Sequence, residues 1–249
     1  MAVVVKSPRE LALMREAGRL LAEVREVMRA AVRPGITTRE LDRLGEAEIR
    51  ARGATPSFKG YRGYPASVCV SVNDEIVHGI PGSRVLHDGD IVSLDLGVIY
   101  KDYQSDTAIT VAVGTISAEA QRLMDVTAQA LGAGIAAARA GSRLGDIGWA
   151  VQQCAEAAGF GVVREYGGHG IGRQMHEDPH IPNIGEPGRG QLLRVGMTMA
   201  LEPMLAIGPA HTRVLADKWT VVTADSGLSA HFEHTIAITK GEAEILTRL

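Results

Sequence analysis

A chain of 249 residues suits one large compact domain or two small ones, and 45% hydrophobic residues can supply a sizeable core. Charged residues make up 22% and the net charge is −3, so neither nucleic acid nor an anionic membrane is indicated as partner. The leading apolar stretch is only Ala2 to Val5 and no later run reaches membrane-span length, which excludes a signal peptide and a transmembrane helix and predicts a soluble, cytoplasmic protein.

Ser7-Pro8-Arg9-Glu10 reads as a helix start, with Ser at N-cap, Pro at N1 and Glu at N3. That helix should run to about Val32 and stop at Arg33-Pro34-Gly35. Thr37 or Thr38 caps a second helix that ends at Gly53. β-rich runs follow at 67–72, 91–99 and 108–113, and the middle one carries Asp95 among apolar neighbours. A third helix spans 118–138, and a fourth ends at Gly159. The cysteines, Cys69 and Cys154, form no C-x-x-C pair, which rules out a zinc ribbon or thioredoxin-type site and fits a reducing compartment.

Landmarks recur at a fixed distance. Gly141 follows Gly35 by 106 residues, and Gly159 follows Gly53 by 106. Gly196 follows Gly89 by 107, and Glu202 follows Asp95 by 107. Such a period suggests a duplicated α/β half, at about 7–113 and 118–239, within a single packed domain over 1–249. Two facing halves would form a central cleft and each deliver one carboxylate into it.

The candidate chemistry lies in carboxylates with apolar neighbours. Asp95 stands in Ser-Leu-Asp-Leu-Gly, and a buried, unpaired carboxylate there would be costly. Asp106 begins another apolar run 11 residues later, so two strands and a tight turn would set the pair side by side. Singly, each Asp could equally be a turn or capping residue. Glu202 in Met-Ala-Leu-Glu-Pro and Glu233 in His-Phe-Glu-His-Thr share the same apolar context. His169 lies among glycines, where backbone can approach a ligand closely. Four carboxylates and a neutral His balance two divalent cations in formal charge. The oxygen-rich donor set favours Mn²⁺, Fe²⁺, Co²⁺ or a mixed-ligand Zn²⁺ site.

His176-Glu177-Asp178-Pro179-His180 matches the zinc-protease pattern H-E-x-x-H, which works only on a helix. Pro179 opposes helix, so an extended loop is predicted, with His176 near the cleft mouth and His180 structural or solvated. His78, at a strand-to-turn junction, taken alone reads as a structural His.

Taken together, Gly60-Tyr-Arg-Gly-Tyr-Pro, Ser67 through Pro81, Asp95 with Asp106, Gly167-Gly-His-Gly-Ile-Gly, Ala200-Leu-Glu-Pro, Trp219-Thr-Val-Val-Thr and Glu233-His-Thr resemble type I methionine aminopeptidases. The resemblance runs from about Ser7 to Thr239 and is closest to the bacterial short form, without the N-terminal zinc-binding extension of longer relatives. It implies an α+β "pita-bread" fold, two pseudo-symmetric halves around a dinuclear metal cleft. It assigns Asp95, Asp106 and Glu233 to one metal, and Asp106, His169, Glu202 and Glu233 to the other. It sets His78 against the scissile nitrogen and His176 against the peptide carbonyl, with Glu202 as proton shuttle. Phe58, Tyr61, Tyr64, Cys69, Met175 and Trp219 match positions lining the methionine pocket. Backbone carbonyls of Asn73, Glu75 and Ser229 match a structural Na⁺ or K⁺ site. Phe58 departs from a Cys carried by some members, and Met175 from a frequent aromatic residue.

The implied function is removal of initiator methionine from nascent polypeptide N-termini when the second residue is small, a metal-bridged water attacking the scissile carbonyl. The implied partner is the nascent chain, with transient ribosome contact, and the enzyme is expected to be a monomer. Two alternatives stand beside it: a proline-specific aminopeptidase or dipeptidase of the same fold, and a non-catalytic binding protein on this scaffold.

Overall fold

The structure is a computed structural model describing residues 3–249. Helix α1 (Pro8–Ala31) starts at a complete capping box: Glu10 N–H donates to Ser7 Oγ, and Ser7 N–H donates to Glu10 Oε2 at 2.8 Å. Helix α2 (Thr38–Ala51) repeats the device with Thr37 and Glu40. Helices α3 (Ala118–Ala137) and α4 (Leu144–Ala157) follow the central strands, and Arg143 N–H donates to Asp146 Oδ2 at the start of α4.

The strands that matter for function are β1 (Val68–Val72), β2 (Glu75–Val77), β3 (Ile91–Tyr100), β4 (Tyr103–Ala112), β5 (Gly167–Gly170), β6 (Glu177–Pro182), β7 (Thr198–Leu201), β8 (Met204–Ala206), β9 (Ser229–His231) and β10 (Glu233–Ala237). Within a nine-stranded antiparallel sheet the order runs β3-β4-β10-β7-β5-β6; β1 and the short strand Thr55–Pro56 also pair β3, and the short strand Glu244–Ile245 pairs β10. β3 and β4 form a hairpin across Lys101-Asp102, both with positive φ (46° and 68°). Such a two-residue turn matches the strands' right-handed twist. β4 begins at Tyr103, five residues before the predicted run, so Asp106 lies inside a strand rather than at its start.

Strand alternation splits this sheet into two faces. Val92, Leu94, Leu96 and Val98 of β3, with Val68, Val70 and Val72 of β1, pack against Leu21, Val24 and Met28 of α1 and Leu41 and Ile49 of α2. Met199 and Leu201 of β7 and Ile236 of β10 pack against Leu131 of α3 and Leu144 and Ile147 of α4. Helices therefore cover one face, and the intervening residues look the other way.

Corresponding points of the two halves share local geometry. Gly35 and Gly141 have φ of 88° and 93°, and Gly89 and Gly196 have 97° and 89°. Isolated bridges join Thr37 to Val85 and Arg143 to Leu192.

Candidate metal centre

The register explains how scattered residues meet. Asp95 pairs with Ala108, and Ala108 pairs with Glu233. Extending the His234–Leu201 pairing by one residue sets Glu233 opposite Glu202, just past the end of β7. The adjacent row runs from Gly97 to Asp106, and from Thr235 through Ala200 to His169. Asp95, Asp106, His169, Glu202 and Glu233 thus share the face turned away from the helices.

Thr235 joins the rows, since its hydroxyl receives the Asp106 N–H at 2.9 Å and donates to the Asp106 carbonyl at 2.8 Å. The Glu202 carbonyl accepts from Asn183 Nδ2 at 3.1 Å. Donor atoms of Asp106, His169 and Glu233 lie within 4.8 Å of one another. His169 Nδ1 lies 2.9 Å from the Gly170 carbonyl, which makes Nδ1 the protonated nitrogen. Its Nε2 lone pair therefore faces Glu202 Oε1 at 3.7 Å and Asp106 Oδ2 at 3.9 Å.

Asp95 Oδ1, Asp106 Oδ1 and Glu233 Oε1 are buried with no hydrogen-bond partner. Burial pushes Asp95 up to about 7. Burial first, then neighbouring carboxylates, raises Asp106, Glu202 and Glu233 well above the carboxylate range. Crowded, orphaned carboxylate oxygens beside an unprotonated imidazole nitrogen are a donor set that divalent cations fit.

The cleft over this face encloses about 150 Å³. Phe58, Tyr64, Cys69 and Met175 form a buried apolar cluster at its wall, with Tyr61 and Trp219 packed against it. Tyr64 donates to the Gly79 carbonyl at 2.9 Å and stands edge-on to Trp219. His78 and His176 line the same cleft. His78 follows β2 with φ 61°, and its ring stands edge-on to Tyr166 and Trp219. His176 Nδ1 lies 2.9 Å from the Tyr61 hydroxyl. Desolvation, reinforced by His169, Arg62 and His78, lowers His176 to about 3, so its ring is neutral. Asn73 and Ser229 meet outside the cleft, where Ser229 N–H donates to the Asn73 carbonyl at 2.9 Å. Glu75 lies two residues on, its carboxylate accepting from Val72 N–H and pairing with Arg84.

Residues 12–240 match the model of metallopeptidase family M24. The chain belongs to that family. Among M24 relatives it is 51% identical to methionine aminopeptidase 1 of Bacillus subtilis, over 99% of this chain and 100% of that one. It superposes on the crystal structure of methionine aminopeptidase from Rickettsia prowazekii with a TM-score of 0.98 at 41% identity, covering 99% and 100% of the two chains. The prolidase of Pyrococcus furiosus shares the fold at 22% identity, with a TM-score of 0.81 over 99% of this chain and 66% of that one. The architecture is the α+β pita-bread fold of these proteins. No helix among the described residues is long and apolar enough to cross a membrane.

The H-E-x-x-H segment of this M24 chain is not helical. Residues Glu177–Pro182 form β6, a strand of the sheet rather than a loop, because backbone held extended before a proline can pair with β5. His180 is exposed. Three M24 cleft features escaped the sequence reading. Arg62 lines the cleft, Tyr166 meets His78, and buried His231 lies 3.9 Å from Glu202. Strand period alone could have flagged His231, two residues before Glu233. Nothing in spacing marks Arg62 or Tyr166.

Chelation should expose the strain of this cluster. A carboxyl raised in the fold adds stability that is complete below its unfolded pKa, near 4, and is lost as pH rises through its folded value. For Asp95 that value is about 7. The metal-free M24 protein should therefore lose stability between about pH 4 and 7 on this account, and divalent metal added at pH 6 should release protons. Calorimetric metal titration in buffers of different ionisation enthalpy measures the release. A heat independent of buffer contradicts it.

Gly97 matters for a different reason. A Cβ there would lie 2.8 Å from Phe58 Cε1 and 3.0 Å from Met175 Cε. Gly97→Ala should displace both pocket residues, and overpacking of about 1–3 kcal/mol predicts a roughly tenfold fall in kcat/KM on methionyl peptides. Steady-state kinetics with unchanged metal content would locate the damage in the pocket.

Proposed function

We propose that this chain removes N-terminal methionine from nascent polypeptides whose second residue is small, using two divalent metals. The observation that carries this reading is one sheet face bearing buried Asp95, Asp106, His169 and Glu233 with half-buried Glu202, beside an apolar cleft. The whole-length identity to methionine aminopeptidases supports methionine as the substrate residue. The prolidase likeness speaks to fold alone.

In this reading Asp95, Asp106 and Glu233 hold one metal, and Asp106, His169, Glu202 and Glu233 hold the other. Bound there, divalent ions supply Lewis acidity, polarising a peptide carbonyl and making water more acidic. With Tyr61 donating to His176 Nδ1, the ring proton sits on Nε2, which donates to the substrate carbonyl oxygen and stabilises its developing charge. Neutral His78 contacts the scissile nitrogen. Glu202 accepts a proton and passes it on. Phe58, Tyr61, Tyr64, Cys69, Met175 and Trp219 shield the site from water and receive the unbranched methionine side chain.

The donor set suits Mn²⁺, Fe²⁺ or Co²⁺, with Zn²⁺ as a mixed-ligand alternative. Carbonyls of Asn73, Glu75 and Ser229 are assigned to a structural Na⁺ or K⁺. The halves at about 7–113 and 118–239 are read as copies of one α/β unit in a single domain. Nascent chains at the ribosome make the cytoplasm its working place, and it acts as a monomer.

The test is activity after chelation and re-addition of single metals, on Met-Ala-Ser beside Xaa-Pro peptides. Metal-dependent release of methionine is expected. Cleavage of Xaa-Pro substrates without cleavage of Met-Ala-Ser would overturn the assignment.

A further inference from the structure

Glu202 stands between two imidazoles. His169 Nε2 lies 3.7 Å from its Oε1, and His231 Nε2 lies 3.9 Å from its Oε2. His169 belongs to the ligand set above. His231 does not, and the donor atoms that gather within 4.8 Å are those of Asp106, His169 and Glu233.

His231 ends β9 and is 1% exposed. Its backbone is tightly held. Its N–H donates to Thr110 Oγ1 at 2.9 Å, and its carbonyl accepts from the same hydroxyl at 2.8 Å. Ser93 Oγ lies 2.8 Å from that hydroxyl and steadies it. Yet neither ring nitrogen has a hydrogen-bond partner. Buried polar atoms are rarely left so, and an apolar side chain of similar volume would pack there without the desolvation cost. Among the described residues, the acid within 4.0 Å of the ring is Glu202.

We propose that His231 is a positioning residue: its Nε2–H holds Glu202 Oε2, directly or through one water, and leaves Oε1 turned to the metal beside His169. The 3.9 Å gap is closed by a small rotation of the Glu202 carboxylate or bridged by water. An untethered carboxylate can swing both oxygens toward a cation, whereas one anchored by a donor keeps a single orientation. Groups that orient a ligand in this way tune both metal affinity and turnover. The inference rests on the reading that Glu202 works within a metal site.

His231→Leu and His231→Gln should be compared in the full chain. In His231→Leu, kcat on Met-Ala-Ser should fall about 10–100-fold with KM changed by less than about twofold. Calorimetric affinity for Mn²⁺ added to the chelated protein should fall about tenfold. His231→Gln, whose amide can donate to Glu202, should recover most of both. If His231→Leu does not fold, His231→Phe takes its place.

Wild-type kcat and Mn²⁺ affinity in the apolar variant would overturn the proposal. So would equal impairment of the Leu and Gln variants with matching thermal melts, since packing alone explains that result. A wild-type chain that binds Mn²⁺ yet leaves Met-Ala-Ser intact would refute the substrate assignment instead. The Mn²⁺ titration then judges His231 unaided.

Discussion

Asp106→Asn should abolish turnover and metal binding together, while making the metal-free fold more tolerant of high pH. The two effects have one cause. Asp106 sits in the row beside that of Asp95 and Glu233: its Oδ2 lies 3.9 Å from His169 Nε2, and the charges of Asp95 and Glu202 act on it. As a proposed bridging ligand it cannot be lost without loosening both metals. Groups that merely orient a ligand cost about 10–100-fold when removed, so the loss here should exceed about 100-fold. In the metal-free state the same carboxyl is a liability, because burial and two acidic neighbours oppose its ionisation. A neutral amide of the same shape removes that repulsion. The checks are metal stoichiometry, turnover on Met-Ala-Ser, and urea unfolding in chelator at pH 6 and 8. Near-normal turnover with metal supplied would exclude Asp106 from the ligand set.

His78→Ala should behave differently, with kcat falling about 10²–10⁴-fold, the range for loss of a proton-transfer group, and metal content unchanged. Among the described residues, His169 and His231 are the histidines within 4.0 Å of the cluster carboxylates; His78 is not. Its ring instead stands between Tyr166 and Trp219 on the cleft wall, and burial keeps it neutral. Backbone strain is a confounder here, since His78 has φ 61°. His78→Asn controls for it, because Asn adopts the left-handed region readily. Elemental analysis beside kinetics separates the cases. Metal loss in His78→Ala would move the residue into the coordination shell.

Much of this architecture was legible from local chemistry. Capping boxes at Ser7 and Thr37 announce their helices because the side-chain bonds lie within one turn. Leu94 and Leu96 around Asp95 announce a strand with one apolar face, and the helices indeed cover that face. The candidate ligands were readable because a carboxylate with apolar neighbours is rare unless something neutralises it. The early start of β4 was not readable. Tyr103 through Thr107 are polar enough to pass for a turn, and they become strand because β3 pairs with all of them and β10 with Thr107.

The chain order alone sets which residues carry chemistry and how each element begins and ends, since those depend on neighbours a few positions away. Whether the carboxylates meet depends on register, and register is a property of strands brought together from 95 to 233. The same holds for His231, whose unpaired nitrogens and nearness to Glu202 exist only once β9 lies beside β8. Long-range pairing places side chains that no spacing relates, so the donors could be nominated in one dimension, while their shared face, their depth and their crowding arise in three.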